Sequence, residues 1–84
     1  MNAKHRKTLA EIFAMPVNGS LEWARIEALL VALGCAVREG KGSVVSFRRG
    51  GCVLNIHRPH PGKEALRYRI EEVRGFLEDT GVKP

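Results

Sequence analysis

The chain has 84 residues and a formal net charge of +5, and 44% of its residues are hydrophobic. This length allows one small domain with a modest core, and this composition excludes a disordered chain. Because no run of about 18 apolar residues occurs and the N-terminus lacks the apolar stretch of a secretory signal, we expect neither membrane insertion nor export but a cytosolic protein.

Two amphipathic helices are predicted before the first strand. Residues 4–14 place Leu9, Ile12 and Phe13 at helical spacing, and the sequence Met-Pro-Val-Asn-Gly then ends this helix. Ser20 is predicted as the N-cap of a second helix that ends at Gly34. The apolar stripe of this second helix consists of Trp23, Ile26, Leu29, Leu30 and Leu33.

Three short strands joined by glycine turns are predicted next. The strand pattern covers residues 35–39, 43–48 and 52–57. In the second strand, Val44 and Ser46 share one face, whereas Val45 and Phe47 share the other. Both cysteines of the chain fall in these segments, where free thiols are expected rather than a disulfide framework. The pattern predicts an antiparallel β-meander.

A third helix is predicted over residues 65–80, with Gly81 as its stop. Its apolar stripe consists of Leu66, Ile70, Val73 and Leu77. Tyr68 lies off this stripe and is the expected exposed aromatic, whereas Trp23 and Phe47 are expected in the core.

The order α-α-β-β-β-α predicts an α+β fold. Helices packed on one face of a three-stranded antiparallel sheet would bury all the apolar stripes in one core and leave the other sheet face free. Residues 1–84 are predicted as a single domain, in which residues 1–19 form an N-terminal helical extension and residues 20–84 form the core.

The positive charge is concentrated in the middle of the chain. Residues 38–69 carry eight Lys and Arg against two acidic residues, whereas the other residues carry slightly more acid than base. This distribution favours a polyanionic partner, most simply nucleic acid. A surface selected for solubility, or one that docks an acidic protein, would have the same composition and stays open at this point.

The sequence NIHRPHPGK, residues 55–63, holds two histidines and has three interpretations. A metal site would need ligands beyond His57 and His60, and Arg58 between them opposes a cation, so no metal is predicted. In a structural interpretation, the two prolines stiffen the strand exit and the histidines bond backbone or water. In a catalytic interpretation, His57 and His60 transfer protons during RNA cleavage, which needs no cofactor.

Basic side chains near these histidines are predicted to stabilise the charge of a phosphate. The predicted phosphate-binding residues are Lys41, Arg48, Arg49, Arg58 and Lys63. Ser43 follows a Gly-Lys-Gly turn and is expected to orient the substrate. This turn lacks the spacing and the following helix of a nucleotide-binding phosphate loop, so a hairpin turn is predicted instead.

Residues 26–82 resemble the HicA family of toxins from type II toxin-antitoxin systems. The resemblance is carried by the Gly-x-Gly-Ser turn ending at Ser43, the His-Pro-Gly-Lys exit that begins at His60, and the final FLEDTGV. It implies a double-stranded-RNA-binding-like fold and a metal-independent ribonuclease that cuts mRNA until a HicB antitoxin covers its site. The expected partners are therefore mRNA and a HicB-type antitoxin protein.

One position departs from the family pattern. The resemblance implies a catalytic histidine directly after Gly-Ser, and this chain has Val44 there. Valine cannot transfer a proton, so either His57 or His60 has replaced that histidine, or the protein binds RNA or an antitoxin without cutting RNA. We favour the active ribonuclease, although the sequence does not fix the strand register on which replacement depends.

Overall fold

The computed structural model describes residues 1–59 and 62–84. It has three helices and three strands in the predicted order, and the α+β fold class is confirmed. The elements are α1 (Ala3–Ile12), α2 (Trp23–Ala32), β1 (Ala36–Glu39), β2 (Val44–Arg49), β3 (Cys52–His57) and α3 (Arg67–Asp79). None of the described helices is long and apolar enough to cross a membrane.

The three strands form an antiparallel sheet in the order β1-β2-β3, which confirms the predicted meander. Gly50 and Gly51 connect β2 to β3 with φ angles of 55° and 83°. Such a two-residue turn with two positive φ angles suits glycine, and it fixes the register of the hairpin. In that register Val44 is opposite His57 and Arg49 is opposite Cys52.

The hydrophobic core lies on one face of this sheet. Val45, Phe47, Leu54 and Ile56 alternate along β2 and β3 and are buried against the helices. Trp23 of α2 packs on Phe47 with ring centroids 6.1 Å apart, as expected for core aromatics. The helices add Leu9, Ile12, Ile26, Leu29, Leu30, Ile70, Val73, Phe76 and Leu77 to the same cluster. The helices therefore cover one face, and the other stays open.

Helix α2 begins at Trp23, so the prediction that Ser20 is its N-cap was wrong. Leu21 and Glu22 are extended because the backbone here bonds to the segment before α3. The Trp23 amide donates to the Lys63 carbonyl at 2.9 Å, and the Ala65 amide donates to the Leu21 carbonyl at 2.8 Å. This short bridge also delays the start of α3.

Helix α1 is held to the other helices by two arginines. Arg25 of α2 forms an ion pair with Glu11, and the Arg74 guanidinium of α3 donates to the Ile12 and Ala14 carbonyls at 3.0 and 3.1 Å. These bonds satisfy carbonyls at the C-terminal end of α1, which have no partner within the helix. Helix α1 thus shares the core, while its description as an extension stays a prediction.

Candidate active site

A cleft of about 590 Å³ opens where β3 ends and the chain turns towards α3. The described residues that line it are Trp23, Ser43, His57, Arg58, Pro59, Gly62, Glu64, Ala65, Leu66 and Arg69. Of these residues, Trp23 and Ala65 are buried and belong to the core, whereas His57 is exposed at the rim. The bridge between residues 21–23 and 63–65 closes one side of the cleft.

His57 lies directly across the sheet from Val44. The Arg58 amide donates to the Ser43 carbonyl at 2.9 Å, so Ser43 and Arg58 form a hydrogen-bonded pair. Because bonded and non-bonded pairs alternate in an antiparallel ladder, the neighbouring pair of Val44 and His57 has no backbone hydrogen bonds. Side chains of such pairs are close, with Cα atoms about 4.5 Å apart. His57 therefore shares a face with Val44, next to the position where the resemblance implies a histidine.

The His57 ring is oriented by Ser43. The Ser43 hydroxyl oxygen lies 3.2 Å from His57 Nδ1, across the strand pair. When Nδ1 carries the ring proton and donates it to this oxygen, Nε2 keeps a lone pair that can accept a proton. The pair thus has the geometry of a proton acceptor held by a hydroxyl at the rim of a cleft.

Arg58 also lines the cleft, but two carboxylates surround its guanidinium. It donates to both carboxylate oxygens of Glu27, at 2.9 Å each, and to both of Glu39, at 2.6 and 2.8 Å. Hydrogen bonds to Glu39 and then Glu27 raise the pKa of Arg58, and the bonds from Arg58 lower the pKa of both glutamates. Arg58 therefore joins α2, β1 and β3 beside His57.

The other predicted phosphate-binding residues separate into two groups. Lys41 lies in the turn that leads to Ser43, and Lys63 lies between two cleft-lining residues, so both are near the cleft. Arg48 and Arg49 lie at the far end of β2, four and five residues beyond Val44. The structure therefore does not bring these two arginines to His57.

Arg49 points towards the C-terminal ends of two helices. Its Nε donates to the Leu33 carbonyl at 3.3 Å, and its Nη1 donates to the Thr80 carbonyl at 3.0 Å. Arg48 is exposed on the open sheet face, where it shares a shallow depression with Arg38, Ser46 and Asn55. This depression is a second basic surface, which shares no lining residue with the cleft.

His60, the other predicted catalytic residue, lies outside the described residues. Within the described parts of the chain, no group of three His, Cys, Asp or Glu is placed to hold a metal ion. Cys35 and Cys52 are both free, as expected from their number, and burial raises the pKa of the Cys35 thiol.

Arg69 and Glu64 line the cleft and were not selected from the sequence. Both follow the histidine motif in the sequence, and the backbone bridge to residues 21–23 positions this segment at the cleft. Tyr68 is half exposed, as predicted, and its ring centroid is 4.8 Å from the Arg69 guanidinium carbon. The only sequence signal for Arg69 is that it is one of two arginines in the first turn of α3.

The chain matches the sequence model of a known protein family. Residues 23–82 match the sequence model of a family described as the HicA toxin of bacterial toxin-antitoxin systems. No characterised protein and no solved structure matches the chain. The matched residues are more than half of the chain and include all the described residues that line the cleft.

Proposed function

This chain belongs to the HicA toxin family of bacterial toxin-antitoxin systems, and we propose that it is a metal-independent endoribonuclease that cuts mRNA with His57. The antitoxin that the family implies is, in this proposal, a HicB-type protein that covers the cleft. The site of action is the cytoplasm, where mRNA is found.

The position of His57 is the observation that carries this proposal. The register pairs His57 with Val44, so a histidine on β3 lies next to the place that a histidine at position 44 would occupy, on the same face. The replacement that the sequence left open is therefore geometrically reasonable. The hydrogen bond to Ser43 supports it, because an oriented ring is what proton transfer requires.

The chemistry needs only groups that this chain supplies. His57 Nε2 accepts the proton of a ribose 2′-hydroxyl, and the 2′-oxygen attacks the adjacent phosphorus. The bond from phosphorus to the 5′-oxygen of the next nucleotide breaks, which leaves a 2′,3′-cyclic phosphate. A protonated group, for which His60 is the sequence candidate, returns a proton to the departing 5′-oxygen.

Phosphate binding is assigned to the basic residues close to the cleft. Lys41 and Lys63 are exposed, lie one or two positions from cleft-lining residues and provide positive charges on flexible side chains. Arg58 is instead a positioning residue in this proposal, because Glu27 and Glu39 already occupy its donors. Arg48 is exposed on the open sheet face and can attract RNA without taking part in the reaction.

Val44 favours a second candidate function. A protein that has lost the histidine implied at this position would be a non-catalytic module that binds RNA or the antitoxin. The two candidates differ in an observable way, because cleavage yields fragments with a cyclic phosphate, whereas binding alone responds mainly to salt.

The test is an RNA-cleavage assay of the purified chain in the presence of EDTA. We expect fragments with 2′,3′-cyclic phosphate ends from the wild type, and a rate at least about 100-fold lower for His57→Ala. His5→Ala is the matched control, since His5 is on α1 and does not line the cleft.

Four outcomes would contradict the proposal. Equal rates for the wild type and His57→Ala would mean that His57 takes no part in proton transfer. Cleavage that EDTA abolishes would mean that a metal ion is required. Salt-sensitive RNA binding without fragments at any pH would support the non-catalytic module. Loss of activity in His60→Ala but not in His57→Ala would mean that His60, and not His57, is the proton acceptor.

A further inference from the structure

The two arginines among the described residues of the cleft differ in how much of their positive charge is available to a ligand. Arg58 has two bidentate carboxylate partners, and little of its positive charge is available to a ligand. Among the described residues, the ionic partner of Arg69 is Glu72, at 3.9 Å from a single nitrogen. That distance is too long for a hydrogen bond, so the Arg69 fork can take another acceptor.

Arg69 is also held in one place. The guanidinium carbon lies 4.8 Å from the ring centroid of Tyr68, which is a cation–π contact. Its side chain is 21% exposed, so most of its surface rests on the protein while the cleft side stays open. A planar donor fork fixed in this way suits a phosphate, whose oxygens match its geometry.

Tyr68 provides a second, different surface beside Arg69, next to the cleft lining. Its side chain is on the face of α3 opposite to the core residue Ile70 and is half exposed. Leu66 precedes it, is equally exposed and lines the cleft. An exposed aromatic next to a guanidinium is the combination that binds unpaired nucleotides, because every base has a face that stacks.

We propose that Arg69 and Tyr68 form a nucleotide-binding subsite beside His57, which binds one phosphate and one unstacked base of a single-stranded RNA. Arg69 takes the phosphate and Tyr68 stacks on the base. The inference rests on the proposed function for its ligand, RNA. It adds a preference for unpaired RNA, because a base within a duplex is not free to stack on Tyr68.

Among the described residues, the carboxylates near the cleft neutralise one of its two arginines and leave the other available. Glu27 and Glu39 neutralise Arg58, and Glu64 is a further carboxylate in the cleft lining. Arg69 is therefore the guanidinium in the cleft that an incoming phosphate can reach. Substrate is drawn to the α3 side, which places the neighbouring ribose towards His57 at the end of β3.

The experiment measures binding of a short, fluorescently labelled 2′-O-methyl RNA, which cannot supply the attacking 2′-hydroxyl. We expect Arg69→Gln to raise Kd about ten-fold and to lower the slope of log K against log salt by about 0.7. Arg67→Gln is the matched control, since it removes the same charge from the same helix turn, and the Arg67 side chain lies beside Gly19 and is not among the described residues that line the cleft. Its Kd should change less than about two-fold.

A second pair of variants tests stacking. Tyr68→Ala should raise Kd about ten-fold, whereas Tyr68→Phe should stay within about two-fold of the wild type because the aromatic face is kept. A duplex RNA of the same sequence should bind more weakly than the single strand and should not distinguish Tyr68→Ala from wild type. Thermal unfolding of each variant checks that the fold is retained.

The outcomes separate this inference from the proposed function. Equal Kd values for Arg69→Gln and Arg67→Gln, in a chain that still cleaves RNA through His57, would overturn the subsite alone. A wild type that never cleaves, but whose RNA binding depends on Arg69 and Tyr68, would overturn the ribonuclease and keep the subsite. Tighter binding of duplex than of single strand would contradict the preference for unpaired RNA.

Discussion

At the cleft end of the sheet, His57 and Ser43 are hydrogen-bonded to each other and open to solvent, and their neighbours leave room for a ligand. At the opposite end, Arg49 is turned inwards and donates to the last carbonyls of two helices. Both ends belong to the same β-meander, and both contain basic residues. They differ because helix C-termini carry unpaired carbonyls that attract an arginine.

An arginine in a basic sequence can serve either a ligand or the fold. Arg25, Arg49, Arg58 and Arg74 are bound to carboxylates or carbonyls of the protein itself, and their charge holds elements together. The charge available to RNA is therefore less than the sequence total indicates. We therefore expect substitutions at the cleft end to change RNA cleavage and substitutions at the far end to change stability.

The largest effect is expected from moving the histidine across the strand pair. His57→Val should lower the cleavage rate about 100- to 10,000-fold, because the proton acceptor is lost. Adding Val44→His to that variant should restore part of the rate, since the two positions are cross-strand neighbours on one face. Single-turnover cleavage measures both. An unchanged rate in His57→Val would contradict the proposed role of His57.

The next effect concerns stability at the far end. Arg49→Met should lower the free energy of unfolding by about 2 kcal/mol, because two helix-terminal carbonyls lose a charged donor. The rate of RNA cleavage under folding conditions should not change. Arg48→Gln, the exposed neighbour, is the control and should change stability by less than about 0.5 kcal/mol. Urea unfolding distinguishes them, and equal effects would remove the distinction between the two arginines.

A smaller effect is expected at Arg58, with a clear pH dependence. Arg58→Met should destabilise by about 1 kcal/mol at neutral pH, after allowance for solvent screening of these partly exposed groups. The pKa of Glu27 and Glu39 is lower in the folded chain than unfolded, so the folded state binds fewer protons near the carboxylate range.

The stabilisation by this cluster is therefore complete above the unfolded glutamate pKa, about 4.3, and is lost as the pH falls through the lower folded values. Chemical denaturation at several pH values should show the wild type and Arg58→Met converging in acid. A constant difference between them down to the lowest pH would show that the ion pairs are not the cause.

The smallest effect is expected at Ser43. Ser43→Ala removes the hydroxyl 3.2 Å from His57 Nδ1 and should lower the cleavage rate about three-fold, by leaving the ring less well oriented. Ser46→Ala is the control, since its hydroxyl bonds to Asn55 on the same face but away from the cleft. A loss as large as that of His57→Val would mean that Ser43 itself takes part in the reaction.

Much of the fold was predictable because it depends on local patterns. The period change after Gly34 and the Gly50-Gly51 turn identify the meander, and burial of Val45 and Phe47 follows from their alternation. The predicted start of α2 was wrong because the Leu21 carbonyl and the Trp23 amide bond to a segment about 40 residues later, and no local pattern reports that pairing.

The candidate site was predictable in residue type but not in arrangement. The sequence alone determined the α+β class, the strand faces and a basic centre containing His57, since these depend on periodicity and composition. Only the tertiary structure decided that His57 faces Val44, that Arg49 and Arg58 are bound by the protein, and that Arg69 reaches the cleft. Register and side-chain partners depend on contacts between distant segments, which one-dimensional order does not contain.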